Sequence, residues 1–421
     1  MPHSQTGQLE FSLLDLPLDG TIDQDRLNLV GKVRSNLFPW NGQFSPQLVH
    51  VLLETYGRAG CSVLDPFLGS GTVLIEAARL GMSGFGGEIN PAACQMAQTY
   101  LLASVRLEDR KHCLNRIDRL LSSFDNSPLF STGTQGQPHV KDRLLHIWRK
   151  EANGPAKRLL QTLIVLLDFY RDDVTNERVI QRWNDLRYTI SELPYSPQPL
   201  WVANCDARRL PLRPGEIDLV LTSPPYINVF NYHQQYRRSV EALGWNLLHV
   251  ARSEIGSNRK HRQNRFLTVI QYCLDIAMTL SELQRVTKSA GRIIFVVGRE
   301  SNVLRTPFYN GDIVANLGVR SVGLEVERRQ ERVFMNRFGA MIREDIIHFR
   351  HGDPLNGHVT RPALIAKEVL SAALQRAPLE SIRDLEDAIA RTSEIRPSPI
   401  YKLLTGEGTR KDKHDFADAT S

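Results

Sequence analysis

Thr222-Ser223-Pro224-Pro225-Tyr226 puts a hydroxyl, two prolines and an aromatic ring in immediate succession. It follows Ile217-Asp218-Leu219-Val220-Leu221, an apolar run that predicts a buried strand. Proline fixes φ and removes a backbone donor, so such a loop is stiff and leaves its carbonyls free to accept hydrogen bonds from a ligand. The residue types suit a planar ring bearing an exocyclic amine. Ser223 and a prolyl carbonyl can accept from the amine, and Tyr226 can stack on the ring.

A second constellation lies upstream. Ser62-Val63-Leu64-Asp65 predicts a short buried strand that runs into Pro66-Phe67-Leu68-Gly69-Ser70-Gly71-Thr72, and Val73 to Leu80 continues as a helix. Glycines between strand and helix let the backbone approach a ligand closely. The turn is not a phosphate loop, because no Gly-Lys-Ser/Thr follows, and it lacks the full GxGxxG fingerprint. Glu88 ends the next predicted strand, Gly84 to Asn90, 23 residues after Asp65. An acidic side chain at that spacing can accept from ribose hydroxyls in nucleotide-binding α/β folds. Asp206 ends a later strand, Trp201 to Asp206, and by the same logic can accept from an adenine amino group. A turn aspartate before Ala207-Arg208-Arg209 is the plainer alternative.

Together, Asp65 to Thr72 and Ser223-Pro224-Pro225-Tyr226 resemble the amino-methylating DNA methyltransferases, with the cofactor motif first and the catalytic motif second. Ser-Pro-Pro-Tyr is similar to the cytosine-N4 branch, whereas Asp- or Asn-Pro-Pro-Tyr is more usual for adenine-N6. Leu37-Phe38-Pro39-Trp40 to Ser45-Pro46-Gln47 resembles a further cofactor segment, and Glu254-Ile255-Gly256-Ser257 a segment that follows the catalytic motif in one bacterial subgroup. The resemblance implies S-adenosylmethionine as cofactor. Asp65, Phe67, Gly69, Gly71 and Thr72 would surround its methionine and sugar, Glu88 its ribose, Asp206 its adenine, and Phe44 would line its pocket. Ser223, Pro224, Pro225 and Tyr226 would hold the target base.

The implied partner is double-stranded DNA with the target base flipped out, because an amine inside a duplex is out of reach. A cognate restriction endonuclease is a further implied partner. Adenine-N6 methylation, RNA base methylation and a catalytically silent DNA-binding protein are the alternatives. Direct attack by the amine needs no covalent adduct, so no nucleophilic cysteine is expected. The basic run Arg252, Arg259, Lys260, Arg262 and Arg265 can neutralise phosphates; a solvated charged loop explains it equally well.

The elements that must position these residues alternate as strand and helix. Ser45 predicts an N-cap and Pro46 the first turn of a helix to Tyr56, and a helix follows from Pro91 to Leu102. This predicts a parallel sheet with right-handed crossovers. The expected fold is α/β: a Rossmann-like class I methyltransferase sheet, mostly parallel with an antiparallel closing strand, plus a helical insertion. Val322–Val326 and Asp345–Phe349 are the expected closing pair, beside a buried strand at Gly291–Val297. The organisation reads as a lead-in over 1–37, a catalytic domain over 38–102 and 200–350, a helical insertion over 103–199 that is a candidate for target recognition, and C-terminal helices with a flexible tail over 351–421. Within the insertion, helices are expected around Cys113–Leu121 and Leu144–Tyr170.

Composition agrees. The chain has 421 residues, 42% hydrophobic and 23% charged, with a formal charge of +6. That mild basicity permits a polyanionic partner without demanding one. No apolar run reaches the roughly 18 residues of a membrane span. Five cysteines lack CxxC spacing, which argues for a reducing cytoplasm and against a zinc site or disulfide framework.

Overall fold

The computed structural model describes residues 9, 11–29, 36–125, 139–169, 174–227, 232–256, 261, 263–336, 339–352 and 360–402. Nine strands occur among them: β1 Ser62–Asp65, β2 Ser83–Gly87, β3 Leu200–Ala203, β4 Ile217–Thr222, β5 Thr287–Gly298, β6 Glu300–Val303, β7 Thr306–Tyr309, β8 Leu324–Met335 and β9 Met341–His351. Seven form one sheet in the order β3-β2-β1-β4-β5-β9-β8, and β6 with β7 makes a separate hairpin. The pairs β3/β2, β2/β1, β1/β4 and β4/β5 are parallel, while β9 runs antiparallel to both β5 and β8. This is the Rossmann-like α/β sheet with an antiparallel closing strand that the sequence predicts. Strand order reverses between β1 and β4, and such switch points are where open α/β sheets bind ligands.

The helices in chain order are α1 Gln24–Asn28, α2 Pro46–Tyr56, α3 Thr72–Arg79, α4 Pro91–Thr99, α5 Leu107–Asp125, α6 Val140–Lys150, α7 Pro155–Leu167, α8 Asn176–Ser191, α9 Arg237–Ala242, α10 Leu247–Ser253, α11 Leu267–Val286, α12 Asn310–Asn316, α13 Pro362–Ala373 and α14 Leu379–Ala390. The central strands are apolar on both faces because helices cover both. Val63, Leu219, Leu221, Ile294 and Val296 pack towards α2 and α3. Leu64, Val220, Ile293, Phe295 and Val297 pack towards α11, α12 and α13. No helix among the described residues is long and apolar enough to cross a membrane.

Local signals fare unevenly. Ser45 sits at the N-cap of α2 with Pro46 in the first turn, but its hydroxyl makes no capping bond. Asn90 does cap α4, accepting from Ala92 N at 2.9 Å. The helix expected to run to Leu102 ends at Thr99 and tightens into a 3₁₀ turn over Tyr100–Ser104. The segment expected as one helix from Leu144 to Tyr170 is two, α6 and α7, separated at Gly154-Pro155. Helix α8 was not anticipated. Strand β8 is far longer than expected because its polar middle is buried in cross-strand pairs. Arg332 Nη1 lies 2.9 Å from Glu344 Oε2, and Gln330 Oε1 3.0 Å from His348 Nε2. Part of the lead-in lies along β8, with Asp19 N donating to Arg329 O at 2.7 Å.

The insertion closes on itself through Arg110, whose side chain is 2% exposed. Its guanidinium donates to the carbonyls of Leu193 at 2.7 Å, Val105 at 3.2 Å and Pro194 at 3.3 Å, joining the two ends of the inserted segment. Phe169 N donates to Ser239 Oγ at 2.8 Å, so the insertion also braces α9, in the segment that follows Ser-Pro-Pro-Tyr.

Candidate active site

Strands β1 and β4 end side by side at the switch point, which brings Asp65 next to Thr222. Thr222 Oγ1 donates to Asp65 Oδ1 at 2.6 Å, and Phe67 N donates to the same oxygen at 3.0 Å. Asp65 is 1% exposed. Burial pushes its carboxyl up to about 7 against these two donors, and the charge of Glu88 adds to the rise.

The glycine loop then turns back over β2. Gly69 and Gly71 take φ of 54° and 100°, the left-handed region that an L side chain rarely occupies. A Cβ on Gly71 would lie 2.7 Å from the ring of Tyr100. The turn aims Gly69 N at Glu88 Oε2, 2.7 Å away, while Asn90 N meets Oε1 at 2.7 Å. A carboxylate offers about four lone-pair directions, so each oxygen of Glu88 keeps one free. The side chain is half-buried, and burial pushes it up to about 7 in spite of the backbone donors at Asn90, Gly69 and Ile89.

The facing wall comes from the segment before α2. Asn36 links it to the glycine loop, donating to Phe44 O and accepting from Thr72 Oγ1, both at 3.0 Å. Gln43 Nε2 donates to Ser70 Oγ at 2.6 Å. Trp40 stacks on Tyr232 at 6.1 Å between centroids and on Tyr236 at 6.4 Å. Tyr232 lines the cleft.

Ser223 and Pro225 reach the same cleft, which encloses about 910 Å³ including space open to solvent. Of the cofactor candidates, Phe44, Asp65, Phe67, Gly69, Thr72, Glu88 and Asp206 line it, and Gly71 does not. Pro224 is buried, and Tyr226 lies beside the cleft rather than on its wall. The Tyr226 hydroxyl is 3.3 Å from Ser223 Oγ, and burial raises its pKa above the ordinary phenol value. A Cβ on Gly298 would sit 3.0 Å from the Tyr226 ring, and one on Gly256 only 2.8 Å from Tyr226 O. Gly256 thus lets the Glu254-Ile255-Gly256 segment press onto the Ser-Pro-Pro-Tyr loop, and Glu254 and Ile255 join the lining.

Asp206 needs correction. It borders the cleft, but its carboxylate is spent on protein donors. Oδ1 accepts from Arg208 N at 3.0 Å and Arg208 Nε at 2.8 Å; Oδ2 accepts from Arg208 Nη2 at 2.7 Å and Tyr401 N at 2.8 Å. Four donors fill four lone-pair directions, leaving none for an adenine amine. A nearby cation two residues on, Arg208, is the sequence signal that pointed this way.

In the basic run, Arg252 is exposed on α10 and Arg265 half-buried before α11. Arg259, Lys260 and Arg262, and Phe230 near the catalytic motif, lie outside the described residues. No group of three or more His, Cys, Asp or Glu side chains among the described residues is placed to hold a metal ion.

Comparison with known proteins bears on the same segments. The N6_N4_Mtase family, described as DNA methylase, matches residues 24–99, which carry the facing wall, the glycine loop and Glu88. A curated relative, type II methyltransferase M.MjaII of Methanocaldococcus jannaschii, is 29% identical over 140 residues, covering 32% of this chain. The match spans about a quarter, 24%, of that relative's length. Both findings support kinship with the amino-group DNA methyltransferases. Among solved structures, a SAM-dependent methyltransferase of Methanosarcina mazei aligns over 72% of this chain and 98% of its own at 12% identity and a TM-score of 0.33. A TehB-like SAM-dependent methyltransferase of Corynebacterium glutamicum aligns over 72% and 86% at 11% identity and a TM-score of 0.28. Neither superposition is close enough to assign an activity.

Proposed function

We propose that this protein is an S-adenosylmethionine-dependent DNA methyltransferase that methylates the exocyclic N4 of a flipped cytosine, as the modification half of a restriction–modification system. The observation that carries the reading is one cleft, at the switch point, holding both Glu88 with a free lone pair on each carboxylate oxygen and the Ser223 hydroxyl. When bound, the cofactor supplies an electrophilic sulfonium methyl.

Glu88 would accept from the two ribose hydroxyls, and Asp65, Phe67, Gly69 and Thr72 would enclose the sugar and methionine. Phe44 and Trp40 cover the apolar part of the cofactor. Ser223 Oγ and Tyr226 Oη lie 3.3 Å apart and either can donate; with Ser223 as the donor, its lone pairs turn towards the target amine. With the adjoining prolyl carbonyl it accepts both amine protons. This disfavours delocalisation of the nitrogen lone pair into the ring and lines it up with the methyl; orientation of this kind supplies most of the rate. Ser223 is too weak a base to deprotonate the amine first, so the N–C bond would form as the S–C bond breaks, with the cofactor left as its neutral thioether, and the extra proton on nitrogen would then pass to water. Tyr226, which lies beside the cleft against Gly298, would stack on the flipped base once its ring turns onto the cleft wall. The basic run around Arg252 and Arg265 contacts phosphates.

Adenine-N6 is the second reading, because one first-position residue, Ser223, is all that favours cytosine. The test is digestion of DNA to nucleosides after incubation with S-adenosylmethionine, followed by mass spectrometry. N4-methylcytosine is the expected product. N6-methyladenine would overturn the base assignment, and methylation of RNA alone would overturn the substrate. Ser223→Ala should slow methyl transfer roughly a hundredfold, as loss of a positioning contact at the reacting atom can, with cofactor affinity nearly unchanged. An equal loss of both would remove Ser223 from the catalytic role.

A further inference from the structure

Residues 396–402 lie far from the cleft in sequence yet are clamped to its outer wall. Arg208 is the centre of the clamp, with its side chain fully buried. Besides Asp206, it bonds Asp275 Oδ1 on α11 at 2.6 Å, Ser398 O at 2.8 Å, Pro399 O at 2.9 Å and Ser253 O at 3.4 Å. Ser398 N donates back to Asp275 Oδ1 at 2.9 Å, and Gln271 Nε2 holds Arg396 O at 3.0 Å. Two of the groups gathered on this one guanidinium, Asp206 and Ser253, line the cleft.

Tyr401 completes the connection. Its ring is 6% exposed, and its hydroxyl donates to Asn204 Oδ1 at 2.7 Å. Asn204 Nδ2 in turn donates to Glu88 O at 2.8 Å and Ile89 O at 3.0 Å. An amide that donates from its nitrogen must present its oxygen the other way, so the Tyr401 hydroxyl selects the amide orientation that grips both carbonyls. Glu88, Ile89 and Asn90 all line the cleft, and Asn90 N is one of the two donors that fix the Glu88 carboxylate.

We propose that the C-terminal segment 396–402 is a clasp for the cofactor half of the cleft. Tyr401, acting through Asn204, and Arg208 are its positioning residues. The role rests on the reading of the cleft as the S-adenosylmethionine site. Without Tyr401 the Asn204 oxygen loses its donor, the amide is free to rotate, and the 88–90 turn that aims the carboxylate loosens. The Tyr401 hydroxyl reaches the cleft only through Asn204 and the 88–90 turn, so its loss should act on cofactor affinity and leave turnover alone, whereas Arg208 also holds Ser253 O, next to the segment packed on the Ser-Pro-Pro-Tyr loop.

The test is calorimetric titration of the full chain with S-adenosylmethionine, alongside steady-state methylation of DNA. Tyr401→Phe keeps the ring and removes one hydrogen bond, so it should weaken cofactor binding roughly threefold to tenfold. The KM for S-adenosylmethionine should rise in parallel, with kcat and Tm nearly unchanged. A chain ending after Lys402 should bind like the full chain, whereas one ending after Pro397 should lose at least the affinity lost by Tyr401→Phe. Arg208→Lys, which retains the charge but not the fork of donors, should fall between them. Unaltered affinity in Tyr401→Phe, or a fall in kcat and Tm that matches the fall in affinity, would overturn the clasp while leaving the cofactor reading intact. A full chain that binds no S-adenosylmethionine would overturn both.

Discussion

Asp65 and Glu88 are two carboxyls whose burial holds a proton up to about pH 7, from ordinary values of 3.8 and 4.5. Two opposite pH effects follow. The folded chain binds protons that the unfolded chain has released between those ordinary values and about 7. The stability these groups contribute is therefore present at low pH and lost as pH rises through about 7. Cofactor binding runs the other way, since an ammonium and a ribose diol favour the ionised carboxylates. Affinity for S-adenosylmethionine should be flat above pH 8 and decline below about 7, read by calorimetry across that range. Glu88→Gln, which cannot ionise, should flatten part of the decline and bind weakly throughout. A pH-independent affinity in the native protein would remove the carboxylates from the proposed contacts. At this scale the sequence was legible where a residue's type and its distance from a glycine turn sufficed, as with Glu88. On Asp206 it carried only part of the answer, the Arg208 two residues on, because the donors that saturate the carboxylate also include Tyr401 N from far along the chain.

At the scale of elements, the turn between β1 and α3 does the positioning. Its two left-handed glycines swing Gly69 N onto Glu88 and carry the chain into α3 past Tyr100. Gly71→Ala meets both a φ of 100° and a ring 2.7 Å from the new Cβ. It should cost several kcal/mol, roughly the sum of strain at a left-handed residue and a core overlap. Thermal unfolding measures this, and a shift of less than about 2 °C in Tm would show that the loop relaxes instead. Strands β1, β4 and β5 were legible because burial on both faces leaves unbroken apolar runs. Of strand β8 only the apolar start, expected at Val322–Val326, was legible; its polar remainder was not, because its arginines and glutamates are neutralised by partners on β5, β9 and the lead-in, and a single chain segment does not reveal its partners.

Across the whole molecule, the insertion, which holds four α-helices among its described residues, is fastened at its neck by Arg110 and braces α9 through Ser239. Arg110→Met leaves several carbonyls at that neck without a donor. Loss of a buried cation's hydrogen bonds to carbonyls costs several kcal/mol, roughly 1–3 for each group left unsatisfied. The expected result is faster proteolysis within residues 107–191 and slower methyl transfer, since α9 loses its brace. Limited proteolysis that is unchanged in Arg110→Met would show the insertion to be held by its apolar core alone.

The sequence by itself determined the two halves of the cleft: a glycine turn followed by Glu88, and Ser223-Pro224-Pro225-Tyr226 at the end of a buried strand. It determined them because a strand-end turn and its ligand-facing groups are local, a few bonds from the residues that shape them. Only the tertiary structure decided that Trp40, Tyr232 and Glu254 share that cleft, that Asp206 is already occupied, and that the last described residues clasp the wall around Glu88. Those facts depend on side chains meeting across as many as 197 positions of chain, from Asn204 to Tyr401. Contacts of that range are set by how the whole chain packs and leave no periodic or spacing signal in the sequence around either residue.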